Sequence, residues 1–210
     1  TYTATVSHNG RNANTTYYYK VRAKNLDSVW TGYNTEVSTL TGANMPGAIT
    51  FVPVAAPAGT TSIRVTWADG GNPSNVVYEL EASTGTNGGY GTVYSGITRD
   101  YTNAGLSPNT THYYRVKVQG TSIYNTEKST HTLAARPINT LFSGVYASSI
   151  TISWQDNGNA ADTVYQIAKS AWSDNPGDAI DIASYGSIVY TGTALTYTDP
   201  GLISNTTNHY

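Results

Sequence analysis

Apolar residues recur at every second position through much of this chain. Ile63, Val65 and Trp67 are spaced two apart, as are Val76, Tyr78 and Leu80, and again Tyr114, Val116 and Val118. Successive side chains of a strand point to opposite faces, so the spacing predicts strands that each bury one face. Turn-forming clusters interrupt them at short intervals: Asp69-Gly70-Gly71-Asn72-Pro73, Thr86-Asn87-Gly88-Gly89, Asn103-Ala104-Gly105 and Ser107-Pro108-Asn109. About seven short strands with regular turns in about 100 residues predict an all-β, immunoglobulin-like sandwich.

The pattern repeats. Asn14-Thr15-Thr16-Tyr17-Tyr18-Tyr19-Lys20-Val21 returns as Asn109-Thr110-Thr111-His112-Tyr113-Tyr114-Arg115-Val116, and its start returns as Asn205-Thr206-Thr207-Asn208-His209-Tyr210, at spacings of 95 and 96 residues. Trp67-x-Asp69-x-Gly71-Asn72, followed by Val77-Tyr78, recurs 87 residues on as Trp154-x-Asp156-x-Gly158-Asn159, followed by Val164-Tyr165. Two more blocks keep the same order. Val93-Tyr94-Ser95-Gly96 with Tyr101 and Leu106 matches Val189-Tyr190-Thr191-Gly192 with Tyr197 and Leu202, and Tyr33-Asn34-Thr35-Glu36 matches Tyr124-Asn125-Thr126-Glu127. The shorter 87-residue period places a nine-residue insertion between Tyr165 and Tyr190. Self-similarity at a fixed period is the mark of a tandem array.

These residues resemble the fibronectin type III family, in the form found in tandem on bacterial and archaeal surface proteins. The resemblance rests on the Trp closing the second strand (Trp67, Trp154), the Tyr of the third (Tyr78, Tyr165), and Leu106, Pro108 and Thr110 at the start of the sixth. It implies tandem immunoglobulin-like sandwiches with a structural core at Trp67, Trp154, Tyr78, Tyr165, Leu106, Leu202 and Tyr17. It also implies a Tyr that closes the corner before the sixth strand. Tyr17 fits that place, whereas His112 and Asn208 hold it in the other copies. There the corner is left to Tyr113 or Tyr114, or to polar bonds from His112 and Asn208.

Pro46 and Pro137 each stand five residues before a Phe, Phe51 and Phe142, and each is expected to open a unit. Residues 46–136 then form a complete domain. Residues 1–45 hold the last strands of a preceding one and 137–210 the first strands of a following one. Either fragment alone leaves an open core and an unpaired sheet edge. The expectation is therefore a head-to-tail array, completed by the continuing chain or by strand exchange between copies. Charge agrees: residues 1–45 carry Arg11, Lys20, Arg22 and Lys24 against Asp27 and Glu36, while Lys169 alone faces six Asp residues in 137–210.

Composition narrows the chemistry. Charged residues make up only 11% and Tyr occurs 18 times, which favours strands and turns. The chain has no Cys, which excludes disulfides and thiolate metal sites, and in a secreted protein leans toward a prokaryotic source. A net charge of −2 gives no footprint for nucleic acid, and no apolar run is long enough for membrane insertion. His8, His112, His131 and His209 are scattered, and no serine elbow, zinc-binding His pair or phosphate loop is present. No catalytic residue, metal site or cofactor is expected. Asp156-Asn157-Gly158-Asn159 with Asp162 suggests a calcium cage, but the matching Asp69-Gly70-Gly71-Asn72 loses ligands, and a tight turn explains both. Asn14, Asn109 and Asn205 begin Asn-Thr-Thr sequons, candidate glycan acceptors that also suit a turn. Trp30 and Trp172 do not recur and are candidates for an interaction surface, toward glycans or a neighbouring domain. The expected role is structural and adhesive, extracellular or at the cell surface. The rival is a spacer or carbohydrate-binding accessory region of a large secreted polysaccharide-degrading enzyme.

Overall fold

The computed structural model describes residues 3–86, 88–170 and 187–210. Among these residues the regular elements are β-strands apart from one 3-10 turn, Ala58–Thr60, and no helix is long and apolar enough to cross a membrane. The chain separates into two compact units. Unit 1 holds Thr1–Val54, Ile63–Asn103 and Thr111–Thr130; unit 2 holds Ala55–Ser62, Ala104–Thr110 and His131–Tyr210.

In unit 1, β1 (Thr16–Tyr19) and β2 (Val37–Leu40) form an antiparallel hairpin. The strands β3 (Ile49–Val52), β4 (Ser62–Trp67) and β7 (Asp100–Ala104) make one sheet in the order β3-β4-β7. A second sheet, in the order β6-β5-β8-β9, is built from β5 (Tyr78–Ser83), β6 (Gly91–Gly96), β8 (Thr111–Val118) and β9 (Lys128–His131). The residues spaced two apart face each other between these sheets. Ile49, Val65 and Trp67 come from the first, and Tyr78, Leu80, Tyr114 and Val116 from the second; all are buried. Each such aliphatic side chain contributes roughly 1.5–3 kcal/mol. Edge-to-face contacts, Phe51 on Tyr114 at 5.8 Å and Trp67 on Tyr78 at 6.1 Å, join the layers.

The outer face of the four-stranded sheet explains its charged positions. Glu81 stands opposite Arg115 and Glu79 opposite Lys117 in the β5–β8 register, and the Arg115 guanidinium reaches Glu81 at 2.7 Å. The same guanidinium lies between the rings of Tyr90 and Tyr124, at 4.0 and 3.9 Å. Burial pushes the Glu81 carboxyl up, but hydrogen bonds from Arg115 and Tyr124 outweigh it and hold the group below its usual range.

In unit 2, β10 (Ile138–Val145), β11 (Ser149–Gln155) and β14 (Thr196–Pro200) repeat the three-stranded order as β10-β11-β14. A two-stranded sheet pairs β12 (Tyr165–Lys169) with β13 (Ser187–Gly192), the counterparts of β5 and β6. Ile152, Trp154, Tyr165 and Ile167 form its core. Trp154 stands 5.9 Å from Tyr190, as Trp67 does from Tyr94. The repeated Val-Tyr-x-Gly block also has a steric cause. A Cβ on Gly96 or Gly192 would fall 2.3 or 2.5 Å from the hydroxyl of Tyr94 or Tyr190, so the ring lies back over the strand only where no side chain intervenes. Those hydroxyls accept the N–H groups of Thr98 and Ala194 at 3.0 and 2.9 Å.

Candidate functional site

Two features of the repeat stand out: the linkers, and an apolar groove in unit 2.

Both linkers are fixed in the same way. Before the first, the Asn14 N–H donates to the Gly42 carbonyl at 2.9 Å; before the second, the Asn109 N–H donates to the Leu133 carbonyl at 3.1 Å. Two residues further on, Asn72 takes the Asn44 N–H on its Oδ1 at 2.8 Å and donates from Nδ2 to the Asn44 carbonyl at 3.0 Å. Asn159 does the same to Ala135, at 2.6 and 2.7 Å. Only Ala43 and Ala134 separate the two anchor points. Each Asn also donates to the turn that carries it, at the carbonyls of Asp69 and Asp156, both 2.7 Å. A further bond differs in direction but not in effect. The Asn44 side chain reaches the Gly70 carbonyl at 3.1 Å, whereas the Asn157 side chain reaches back to the Arg136 carbonyl at 3.0 Å. Gly70 has φ +68°, and a Cβ there would lie 2.0 Å from the Met45 carbonyl oxygen, so the linker fits against bare backbone.

The Asp-x-Gly-Asn motif is thus occupied by turn chemistry. Asp69 Oδ1 accepts the Gly71 N–H at 2.8 Å, and Asp156 Oδ1 accepts the Gly158 N–H at 3.1 Å. Among the described residues no three acidic or His side chains group as a metal site.

The groove measures about 780 Å³. Its floor is the core of unit 2, with Ile152, Trp154, Tyr165 and Ile167, and Ile138, Ile188 and Tyr210 stand around it. In unit 1 the equivalent positions Val65, Trp67, Tyr78 and Leu80 are buried, and β8 pairs along the whole of β5. In unit 2, among the described residues, the edge of β12 away from β13 carries one isolated bridge, Ser170 to His209. Around it Phe142 is 58% exposed. Tyr210 meets Phe142 edge-to-face at 6.0 Å and donates its hydroxyl to Asp199 at 2.9 Å. In unit 1 the Tyr114 hydroxyl likewise meets the Asn103 side chain, at 3.0 Å. Burial, then the bond to Asp199, pushes the Tyr210 phenol well up.

The β1–β2 hairpin is the counterpart of β8–β9. Tyr17 pairs with Thr39 and Tyr19 with Val37, so these side chains share one face, the face that in β8 closes the core. Val116 is fully buried there, but its counterpart Val21 is 68% exposed. Asn125 and Asn34 differ in the same sense. Asn125 Oδ1 accepts the Val116 N–H at 2.8 Å, and its Nδ2 donates to the Gly47 carbonyl at 2.8 Å, tying β8 to the start of β3. Asn34 Oδ1 accepts the Val21 N–H at 2.6 Å; its Nδ2 has no acceptor among the described residues.

The remaining sequence-derived positions fall as follows. Trp67, Trp154, Tyr78 and Tyr165 are buried, whereas Leu106, Leu202 and Tyr17 are half-buried. The Tyr17 hydroxyl accepts the Asn12 N–H at 3.0 Å and closes its corner. His112 is buried at the matching place with no partner for Nε2, so neither it nor the hydroxyl of Tyr114 makes the corner bond. Thr132 fastens that region instead, donating to the Ser107 carbonyl at 2.7 Å and accepting the Thr110 N–H at 3.0 Å. Asn14, Asn109 and Asn205 have φ of 44°, 48° and 60°, a left-handed conformation that Asn tolerates better than most residues. Asn109 Nδ2, the atom a glycan would occupy, donates to Thr163 Oγ1 at 2.7 Å. Trp30 is half-exposed, with the guanidinium of Arg22 over its ring at 4.3 Å. Trp172 and the core of the insertion lie outside the described residues. Asn72 and Asn159 stand in the Asp-x-Gly-Asn turn weighed as a calcium cage, and Asn34 and Asn125 stand in the repeated Tyr-Asn-Thr-Glu block, but the bonds these four make were not read from sequence.

No family model matches the chain, and no curated protein matches it in sequence. Solved structures that resemble it include domains d3–d4 of the rat CD45 extracellular region, 15% identical over 62% of this chain and 70% of that one, with a TM-score of 0.40. Another is the FN1–FN3 region of chicken CNTN1, 14% identical over 94% and 69%, with a TM-score of 0.34. A human fibronectin type III domain is 23% identical over 44% and 88%, with a TM-score of 0.35. At those identities and scores the likenesses add nothing to the strand order, and it is the strand order, β3-β4-β7 against β6-β5-β8-β9, that makes the fold of this chain fibronectin type III-like.

Proposed function

We propose that this chain is a segment of an extracellular structural and adhesive array, in which sandwiches follow one another head to tail with almost no slack. Residues 46–136 are one domain of that array, 137–210 supply the early strands of the next, and 1–45 the late strands of another. The observation that carries this reading is the single unanchored residue in each linker, Ala43 and Ala134, between backbone bonds made at identical positions of the repeat. A spacer meant to swivel gains from free, polar, Gly- or Ser-rich linkers; here side chains of the turn grip the linker backbone twice. Low charge and loops free to vary suit a stalk that reaches outward and meets partners along its length.

Small-angle scattering tests it. The native chain is expected to fit one rigid arrangement, and the Asn72→Ala/Asn159→Ala variant to need a broader ensemble. Equal breadth for both would refute the rigid-array reading.

A further inference from the structure

A charged pair faces into the sandwich of unit 2 where unit 1 has a neutral one. Lys169 of β12 and Asp199 of β14 stand at the repeat positions of Ala82 and Asn103. In the β5–β8 register Ala82 lies opposite the buried Tyr114, so this position looks into the core. Lys169 Nζ lies 2.9 Å from Asp199 Oδ2, and the two side chains are 25% and 9% exposed. The Tyr210 hydroxyl donates to the same oxygen, also at 2.9 Å. In unit 1 Asn103 meets Tyr114 with no charge at all, so the fold does not need an ion pair here. Burying one costs desolvation that the attraction between the charges seldom repays, and an apolar substitute of similar volume is often as stable. Reactivity explains the pair better than stability does. We infer that Lys169 and Asp199 condense, without a cofactor, to an amide that staples β12 to β14.

The step balances within the pair. Transfer of one proton along the Lys169–Asp199 hydrogen bond gives an amine beside a carboxylic acid, and separated charge is what a water-poor site penalises. The amine nitrogen attacks Asp199 Cγ and the C–N bond forms. Oδ2 takes the second proton given up by nitrogen and leaves as water, while the carbonyl to Oδ1 re-forms. Ammonium and carboxylate thus become amide and water, with no oxidant, reductant or activating group consumed. The Tyr210 hydroxyl, donating to Oδ2, eases that departure and ends unchanged; its burial keeps the phenol protonated and hence a donor. Contact between the two groups supplies the entropy, since well-oriented neighbours react as if at roughly 10⁵–10⁸ M. The product also suits its place. β12 and β14 belong to different sheets, so the amide joins the two layers of one sandwich, in a chain that has no Cys to do so. The inference does not rest on the array reading, although a stalk under tension gains from such a cross-link.

Mass spectrometry of the intact full-length chain under denaturing conditions reads the bond directly. The native chain is expected to be lighter than its sequence by one water, and the Lys169→Arg and Asp199→Ala chains to have their full masses. Aspartyl–glycyl sites such as Asp69-Gly70 also lose water, by succinimide formation, so the Lys169→Arg control is decisive. A loss that persists in that variant belongs to another site and overturns the inference, as does a native chain of full mass. Proteolysis of the native chain gives a second reading that needs no variant to fold. Cleavage at the intervening Tyr190 and Tyr197 is expected to release one branched peptide carrying both Lys169 and Asp199; recovery of the two only on separate linear peptides overturns the inference equally. Tyr210→Phe keeps the ring and removes the donor. At equal times after synthesis it is expected to leave a larger share of the chain uncondensed, and an equal share would remove the phenol from the step.

Discussion

The sandwich of unit 1 and the open sandwich of unit 2 are built from the same residues, and they differ in what covers them. Leu80 of unit 1 stands beside Val116 of β8 with no exposed surface; Ile167, its counterpart, is 9% exposed beside a groove. Phe51 is half-buried against Tyr114, whereas Phe142, with Tyr210 at nearly the same distance, remains mostly exposed. Local geometry is therefore complete in unit 2. The aromatic spacing, the Tyr–Gly packing and the linker clamp are all present beside the groove. What the sixth and seventh strands add is burial, and burial is the dominant stabilising term.

The largest expected difference is at the two tryptophans. Trp67→Ala should destabilise unit 1 by about 3–5 kcal/mol, through lost burial plus the cavity left behind. Trp154→Ala should cost clearly less, because water enters from the groove and the cavity term shrinks. Urea unfolding followed by fluorescence measures both. Equal costs would show that the groove is covered in solution, and a concentration dependence of the Trp154→Ala midpoint would identify a second copy as the cover.

A smaller contrast lies at Asn125 and Asn34. Asn125→Ala leaves the buried Val116 N–H without its side-chain partner and removes the tie to the part-buried Gly47 carbonyl, a loss of about 1–3 kcal/mol. Asn34→Ala should change stability by less than about 0.5 kcal/mol, as exposed substitutions do, since water reaches the Val21 N–H. Shifts in the urea midpoint compare the two, and a large effect at Asn34 in dilute solution would mean that the hairpin is already closed over.

Much of this was legible in the sequence, for a physical reason. The core positions from Ile63 to Val118 are spaced two apart because one face of each strand is buried, and recurrence of Trp and Tyr blocks places the same core in unit 2. The Asn residues were visible too, within Asp-x-Gly-Asn and Tyr-Asn-Thr-Glu, but their roles were not. Asn125 bonds a carbonyl 78 residues away, and Asn72 grips a linker 28 residues before it. Such pairings are set by which backbone groups the closed fold brings near, and no local pattern encodes them. The bulge between Leu80 and Glu81, repeated between Ile167 and Ala168, was hidden likewise, because an extra residue in one strand leaves the alternation on either side intact.

The corner before the sixth strand gives the smallest effect and the cleanest sign. Tyr17 and His112 occupy one repeat position, but the first makes its corner bond and the second is buried with an unpartnered ring nitrogen. Burial disfavours the imidazolium, so the folded pKa of His112 is lowered. Above the ordinary His value of about 6.5 both folded and unfolded chains are neutral there, and the group adds no pH dependence. As pH falls below that value the unfolded chain takes up a proton that the folded one resists, so unit 1 loses stability until the lowered folded pKa is passed. His112→Tyr should abolish this slope. With its hydroxyl placed as Tyr17 places its own, it should also gain about 0.5–1.5 kcal/mol from a bond to the Ser107 N–H. Melting temperatures at pH 7.5 and 5.5 decide the matter. If native and variant chains lose the same number of degrees, the acid sensitivity arises elsewhere, and the corner of β8 tolerates His as a neutral filler rather than as a titrating weak point.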